Sequence, residues 1–268
     1  MSLAKATVAF LVLALLGGLA FFLYSRPVGE EPGAVIEAPP VESAPAERPS
    51  EPEPEPAFVE PAKPEAEPAP PLPSLDQSDP EVREAAAVIA GQGFVERFLV
   101  PDSVVRKLVT TVDNLPREKI DMRVRAVPAL GGRFLVGGSE EDIVVHPDNF
   151  SRYDTLVGLV SAVDPARAAD LYVRYYPLLQ EAYRELGYPD RQFHNRLIDV
   201  IDHLLATPEV QTPIRLVRPH VLYKYADPDL EARSAGQKAL IRMGPEHLAT
   251  LKDKLRAVRV ELLSRTGP

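Results

Sequence analysis

The chain has 268 residues, no cysteine, 29 prolines and a formal net charge of −9. The missing cysteines exclude disulfides, thiolate catalysis and Cys-ligated zinc. The acidic balance, with no basic face interleaved with aromatics, excludes a nucleic-acid-binding domain.

Residues 6–24 form an uncharged apolar run, flanked by Lys5 and Arg26. As a helix it covers about 28 Å, close to the hydrocarbon core of a bilayer. Phe21, Phe22 and Tyr24 sit where an interfacial aromatic belt would lie. The rival is a cleaved signal peptide, with small residues at Gly18 and Ala20. The run continues past Ala20, however, beyond the usual signal core of about 7–15 residues, which favours an uncleaved anchor over residues 1–26. Lys5 beside the amino terminus biases that end toward the cytoplasm, which places the remainder outside it.

Residues 27–73 hold about half of the prolines, eleven Glu, no Asp, and only Arg48 and Lys63 as basic groups. Such a segment buries too little apolar surface to offset its ordering entropy, so a disordered linker is expected. Polyproline II geometry and charge repulsion allow it a reach approaching roughly 145 Å. It is either a spacer whose reach matters or a passive tether. The Pro-Glu repeat at 51–56 also resembles a polyproline ligand, though it lacks flanking basic residues. Eleven acidic and two basic residues give this arm a net charge of −9, the value of the whole chain, so the rest is near neutral.

Residues 74–268 are long enough for one domain with a sizeable core. Ser78 or Asp79, Pro80 and Glu81 open a first helix. A second spans 102–113, with Val105, Leu108, Val109 and Val112 on one face and Pro116 beyond its end. Residues 120–145 change period: Met122, Val124 and Ala126 alternate with Arg123 and Arg125. Strands at 134–136 and 143–145 then flank a glycine-assisted turn at 137–142. Gly132, Gly137, Gly138 and Ser139 approach a P-loop but lack its lysine, and an apolar strand fills the place of the loop.

Helices follow at 150–163, at 166–186 and at 190–205. The longest carries Leu171, Tyr175, Leu178, Leu179, Ala182, Tyr183 and Leu186 as an apolar stripe, with Pro177 inside it and Gly187 at its end. Residues 212–225 read as extended or irregular. One helix is expected from Asp227-Pro228 to Met243. The last begins after Gly244-Pro245 and sets Leu248, Leu251, Leu255, Val258 and Leu262 in a narrow seam. The fold class is therefore mainly α, a compact helical domain with a small antiparallel β element.

Three strings carry a resemblance: Asp113-Asn114-Leu115-Pro116; Tyr183 to Pro189 with Phe193 to Leu205; and Ser234-Ala235-Gly236-Gln237-Lys238 with Arg242-Met243-Gly244. Together they resemble DUF3014, a family of bacterial envelope proteins of unknown function. The resemblance covers most of 75–265 and the order of anchor, arm and head. It implies a Gram-negative inner-membrane protein with a periplasmic head, and it carries over no activity and no site residues.

Four groups are candidates for chemistry. Asp199, Asp202 and His203 lie within one helical turn; a metal site competes with a solvated Asp-His pair. Ser234 and Lys238 have dyad spacing without a hydrolase signature. The tyrosines at 172, 175, 176, 183, 188, 223 and 225 suit either a sugar or peptide groove or a core with its hydroxyls at the rim. Arg233, Gln237, Lys238 and Arg242 recur at helical spacing beside Gly236, with Lys252, Lys254, Arg256 and Arg259 following. This is either a face for an anionic partner or a solvated surface. The function expected is a non-enzymatic, membrane-anchored envelope protein whose head binds a protein or cell-wall component, with no metal, cofactor or catalytic residue assigned. An envelope-modifying enzyme and an anchored lipid-binding module are the alternatives.

Overall fold

The computed structural model describes residues 71–118, 134–220 and 222–266. The apolar run at 6–24, nearly all of the arm, the alternation at 122–126 and Gly132 lie outside these residues. Among the described residues no helix is long and apolar enough to cross a membrane.

The protein is mainly helical, with one small antiparallel sheet. After a short 3-10 turn at Leu75–Gln77 come α1 (Asp79–Ala90), α2 (Gln92–Phe98) and α3 (Val104–Asn114). Asp79, expected with Ser78 as alternative caps of α1, does not cap it; Ser78 stands at the cap position. The Asp79 carboxylate instead accepts the backbone amides of Ser103 (2.6 Å) and Val104 (2.7 Å), closing the start of α3. Tyr175 and Arg174 both donate to Glu81, which fastens α1 to the longest helix. The separate α2 has no counterpart in the sequence reading.

Strands β1 (Val136–Gly138) and β2 (Ile143–Val145) form the expected hairpin, β2 at its expected place and β1 shifted toward the turn. Gly137 and Gly138 pair within the ladder, and the turn is Ser139 to Asp142. Gly138 has φ +85°, and a Cβ there would sit 2.0 Å from the Asp142 carbonyl oxygen, so only glycine closes the hairpin. The segment expected to be extended or irregular supplies β3 (Arg215–Val217) and β4 (Lys224–Tyr225). The sheet order is β1-β2-β3-β4, antiparallel throughout.

The helix expected at 150–163 is two helices, α4 (Asp148–Ser151) and α5 (Asp154–Ala162). The break falls at Arg152-Tyr153; within α4 the Asn149 side chain donates to the carbonyls of Leu135 and His146 and accepts the Leu135 amide, tying the chain back to the segment before β1. Helix α6 (Pro165–Glu185) starts on Asp164, whose side chain accepts the Arg167 amide. Six of its seven stripe residues are buried; Leu186, just past its end, is 37% exposed. Helix α7 (Phe193–Leu205) follows.

The helix expected across 227–243 is broken into α8 (Pro228–Glu231) and α9 (Ala235–Arg242). Ser234 stops the first and caps the second, accepting the Gln237 amide. Helix α10 (Pro245–Thr266) buries Leu248, Leu251, Leu255, Val258 and Leu262, as their spacing predicts. It lies across α5, α6 and α7. The larger core is helical. A smaller one holds Val145, Ile214, Leu216 and Tyr225 of the sheet region with Ile241 of α9.

Tyr172, Tyr175, Tyr176 and Tyr183 of α6 and Tyr225 of β4 are core residues. Around them is a buried polar network. The Tyr172 hydroxyl is 3.1 Å from His194 Nδ1, and Gln180 accepts the Phe193 amide and donates to the Arg191 carbonyl. Burial lowers the His194 pKa from 6.5 to about 4, so the ring is neutral in the folded protein.

Two outcomes follow. Leu179 is fully buried on α6. Leu179→Ala is expected to cost about 2–5 kcal/mol, read from urea unfolding. The His194 contribution is fully present above pH 6.5 and is lost as pH falls toward 4, because only the unfolded chain binds the proton in that window. Between pH 7 and 4.5 it should remove about 2–3 kcal/mol. His194→Gln should remove that part of the acid sensitivity; an unchanged pH profile would refute this assignment.

Candidate functional site

Three strings noted in the sequence meet at one place. Asp113, at the end of α3, is 2% exposed. Arg196 of α7 donates to its Oδ1 (2.8 Å) and to its backbone carbonyl (2.6 Å). Arg117 donates to Oδ2 (2.8 Å), and the Tyr188 hydroxyl stands 3.5 Å from the same oxygen. A buried carboxylate is tolerated only with such partners.

Beyond Asp113 the chain turns through Asn114 to Pro116, and its carbonyls face α9. Leu115 O accepts the Gly236 amide (3.0 Å), and Arg117 O accepts the Ala235 amide (2.8 Å). A Cβ on Gly236 would lie 2.8 Å from Leu204 Cδ2 and 3.1 Å from Leu115 O. The glycine is therefore required by the close approach of α3, α7 and α9, and not by a bound partner.

The four residues expected to form one anion-binding face are not side by side on one open surface. Gln237 and Lys238 are 4% and 8% exposed. Gln237 donates to the His203 carbonyl (3.0 Å), and Lys238 donates to the Glu231 carbonyl (3.0 Å). Arg242 lies over the Tyr225 ring at 5.7 Å. Arg233, in the segment before α9, lines the open groove described next, and so does Gln237. The basic residues of α10 are also engaged: Lys254 with the carbonyls of Ser161 and Val163, Arg256 with Asp253, and Arg259 with Asp202.

That groove has a volume of about 500 Å³. Pro116 and Glu118 line it from the end of α3, His203 from α7, Asp229 from α8, and Ala232, Arg233, Ser234 and Gln237 from the start of α9. The Ser234 oxygen lies 2.8 Å from His203 Nε2. Burial first, then the nearby charges of Arg196 and Arg233, lowers the His203 pKa below its ordinary value. The Ser234 oxygen also accepts the Gln237 amide, which leaves its proton and its second lone pair to meet Nε2 according to the imidazole tautomer.

This pairing was not anticipated, because Ser234 was matched with Lys238. The signal was present: Ser234-x-x-Gln237 is a helix-capping pattern, and His203 lies in a string that shares the same resemblance. Asp199, Asp202 and His203 diverge. Asp199 lines a smaller groove beside Arg196 and Tyr188, Asp202 pairs with Arg259, and His203 bonds Ser234.

A hydroxyl on a neutral imidazole is the start of a nucleophile–base pair. An acyl-transfer site also needs amides free to receive an oxyanion. Here the amides of Ala235 and Gly236 are bonded to Arg117 and Leu115, and that of Gln237 to Ser234 itself. The arrangement is a fixed polar floor beneath a charged rim.

Fold and site together define a mainly helical domain whose marked polar segments converge on a solvent-facing groove. The chain belongs to DUF3014, described as a protein of unknown function, whose family model matches residues 104–259. The match spans α3 into α10 and includes Asp113, Arg196, His203, Arg233 and Ser234. No curated protein and no solved structure matches the chain.

The close approach at Gly236 yields a direct outcome. Gly236→Ala should destabilise the protein by about 1–2 kcal/mol in urea unfolding, since overpacking outweighs the gain in helix propensity. A more stable variant would show that the three segments are not held as described.

Proposed function

We propose that this chain is a non-enzymatic, single-pass inner-membrane protein of a Gram-negative envelope. Residues 6–24 anchor it with the amino terminus in the cytoplasm. Residues 27–73 act as a tether, and the helical head binds a protein or cell-wall component in the periplasm. The observation that carries the reading is the convergence of the family's marked segments around a groove open to solvent. The order of apolar run, acidic proline-rich arm and near-neutral head supports the placement.

One observation favours a second reading, an envelope-modifying enzyme: the 2.8 Å contact of Ser234 with His203. The two readings part at Ser234→Ala. An enzyme would lose turnover, whereas a capping serine costs only about 1 kcal/mol of stability.

Topology is directly measurable because the chain has no native thiol. Ser74→Cys should react with a membrane-impermeant maleimide once the outer membrane alone is opened. Labelling only after lysis of the inner membrane would reverse the orientation. A photo-crosslinking residue at Ala232, on the exposed rim of the groove, should give one dominant adduct in cells, and Arg233→Gln should remove it. An adduct unaffected by Arg233→Gln would place binding elsewhere on the head.

A further inference from the structure

The groove at the junction of α3, α7 and α9 carries an unmet electrostatic demand. Arg233 Nε is shut away from water and has no hydrogen-bond partner among the described residues. A buried donor left unpaired is costly, and the same side chain lines the groove. The guanidinium forms no ion pair among the described residues, although two carboxylates, Glu118 and Asp229, line the same groove. Neither of those pairs with a cation among the described residues.

With His203 neutral, the lining carries one positive and two negative charges. A simple anion meets net repulsion, and a simple cation meets Arg233. A ligand carrying both signs satisfies each wall. The volume, about 500 Å³, suits a short peptide. The floor is pre-set, since Ser234, His203 and Gln237 are bonded to one another and to their own backbone.

We propose that this groove is a peptide-binding subsite that takes a zwitterionic stretch, its carboxylate on Arg233 and its ammonium between Glu118 and Asp229. The proposal rests on reading the head as a binding module and supplies the chemistry of its partner. It replaces a four-residue anionic face with a single arginine opposed by two acids, because the polar ends of Gln237 and Lys238 are engaged inside the fold.

The test uses the full-length protein in detergent micelles and trialanine with free termini, followed by saturation-transfer NMR. Free trialanine should bind. N-acetylation or C-amidation should each weaken binding by about tenfold or more. Arg233→Gln should weaken the free peptide by a similar factor but leave the C-amidated peptide unchanged. Asp229→Asn should act in the same way toward the ammonium end. Equal binding of all three peptides, inorganic phosphate competing as well as trialanine, or an unchanged Arg233→Gln variant would each overturn the proposal.

If Arg233→Gln fails to fold, Ala232→Trp on the exposed rim serves instead. It should block the groove without a loss of melting temperature, and undiminished binding would again overturn the assignment. A complete failure of trialanine to bind rejects the zwitterion subsite. It leaves the thiol-labelling and crosslinking outcomes intact, so the subsite and the wider reading fail separately.

Discussion

A buried carboxylate organises this domain. Asp113 is withdrawn from water at the end of α3, where an unpaired charge costs several kcal/mol. Its two oxygens and its backbone carbonyl are met by Arg196 and Arg117. The pairing fixes more than a charge. Arg196 belongs to α7, so the end of α3 is held against that helix in one register. The carbonyls of Leu115 and Arg117 are thereby turned toward α9, which would otherwise begin with unsatisfied amides.

Helix α9 shows what that constraint produces. Every residue from Ala235 to Ile241 is buried. Ala239 and Leu240 join the large helical core, while Ile241 joins the smaller core under the sheet. A helix enclosed by two layers has no solvent side for its polar residues. Gln237 and Lys238 therefore turn to the carbonyls of His203 and Glu231, because an interior polar group must be hydrogen-bonded. The same spacing on a surface helix would have made a charged stripe. Spacing reports that residues share a face; whether that face meets water is decided by neighbours far away in sequence.

That distinction marks what was readable from the chain. The long helix α6 and the seam of α10 were legible, since an apolar stripe over five or six turns outweighs local detail. The start of α6 was legible to within a residue of its expected place at 166, whereas the cap by Asp164, whose side chain accepts an amide three residues on, shows only in the fold. The breaks before α5 and α9 were not. Asn149, in α4, bonds to Leu135, and Ser234, the cap of α9, bonds to His203, contacts invisible to periodicity. Strands β3 and β4 are three and two residues long, too short to show alternation. Within the candidate site, Arg233 was legible as a basic residue. Its isolation was not, because that depends on Lys238 and Arg242 finding partners elsewhere.

The chemistry of Ser234 follows from counting its hydrogen-bond capacity. The hydroxyl has one proton and two lone pairs. One lone pair caps α9 through the Gln237 amide, and the proton or the second lone pair serves His203, according to its tautomer. His203 in turn is pinned through its carbonyl by Gln237. The three side chains are fixed before any ligand arrives, so little ordering entropy is left to be lost on binding. Arg233, immediately before this rigid unit, keeps a buried Nε without a partner. Local satisfaction thus holds throughout the floor and fails at one cation on the rim. A protein that pairs Asp113 twice and gives Lys238 a carbonyl has the means to satisfy an arginine. The proposed subsite assigns that partner to a ligand, in keeping with the tendency of local rules to be broken at functional sites.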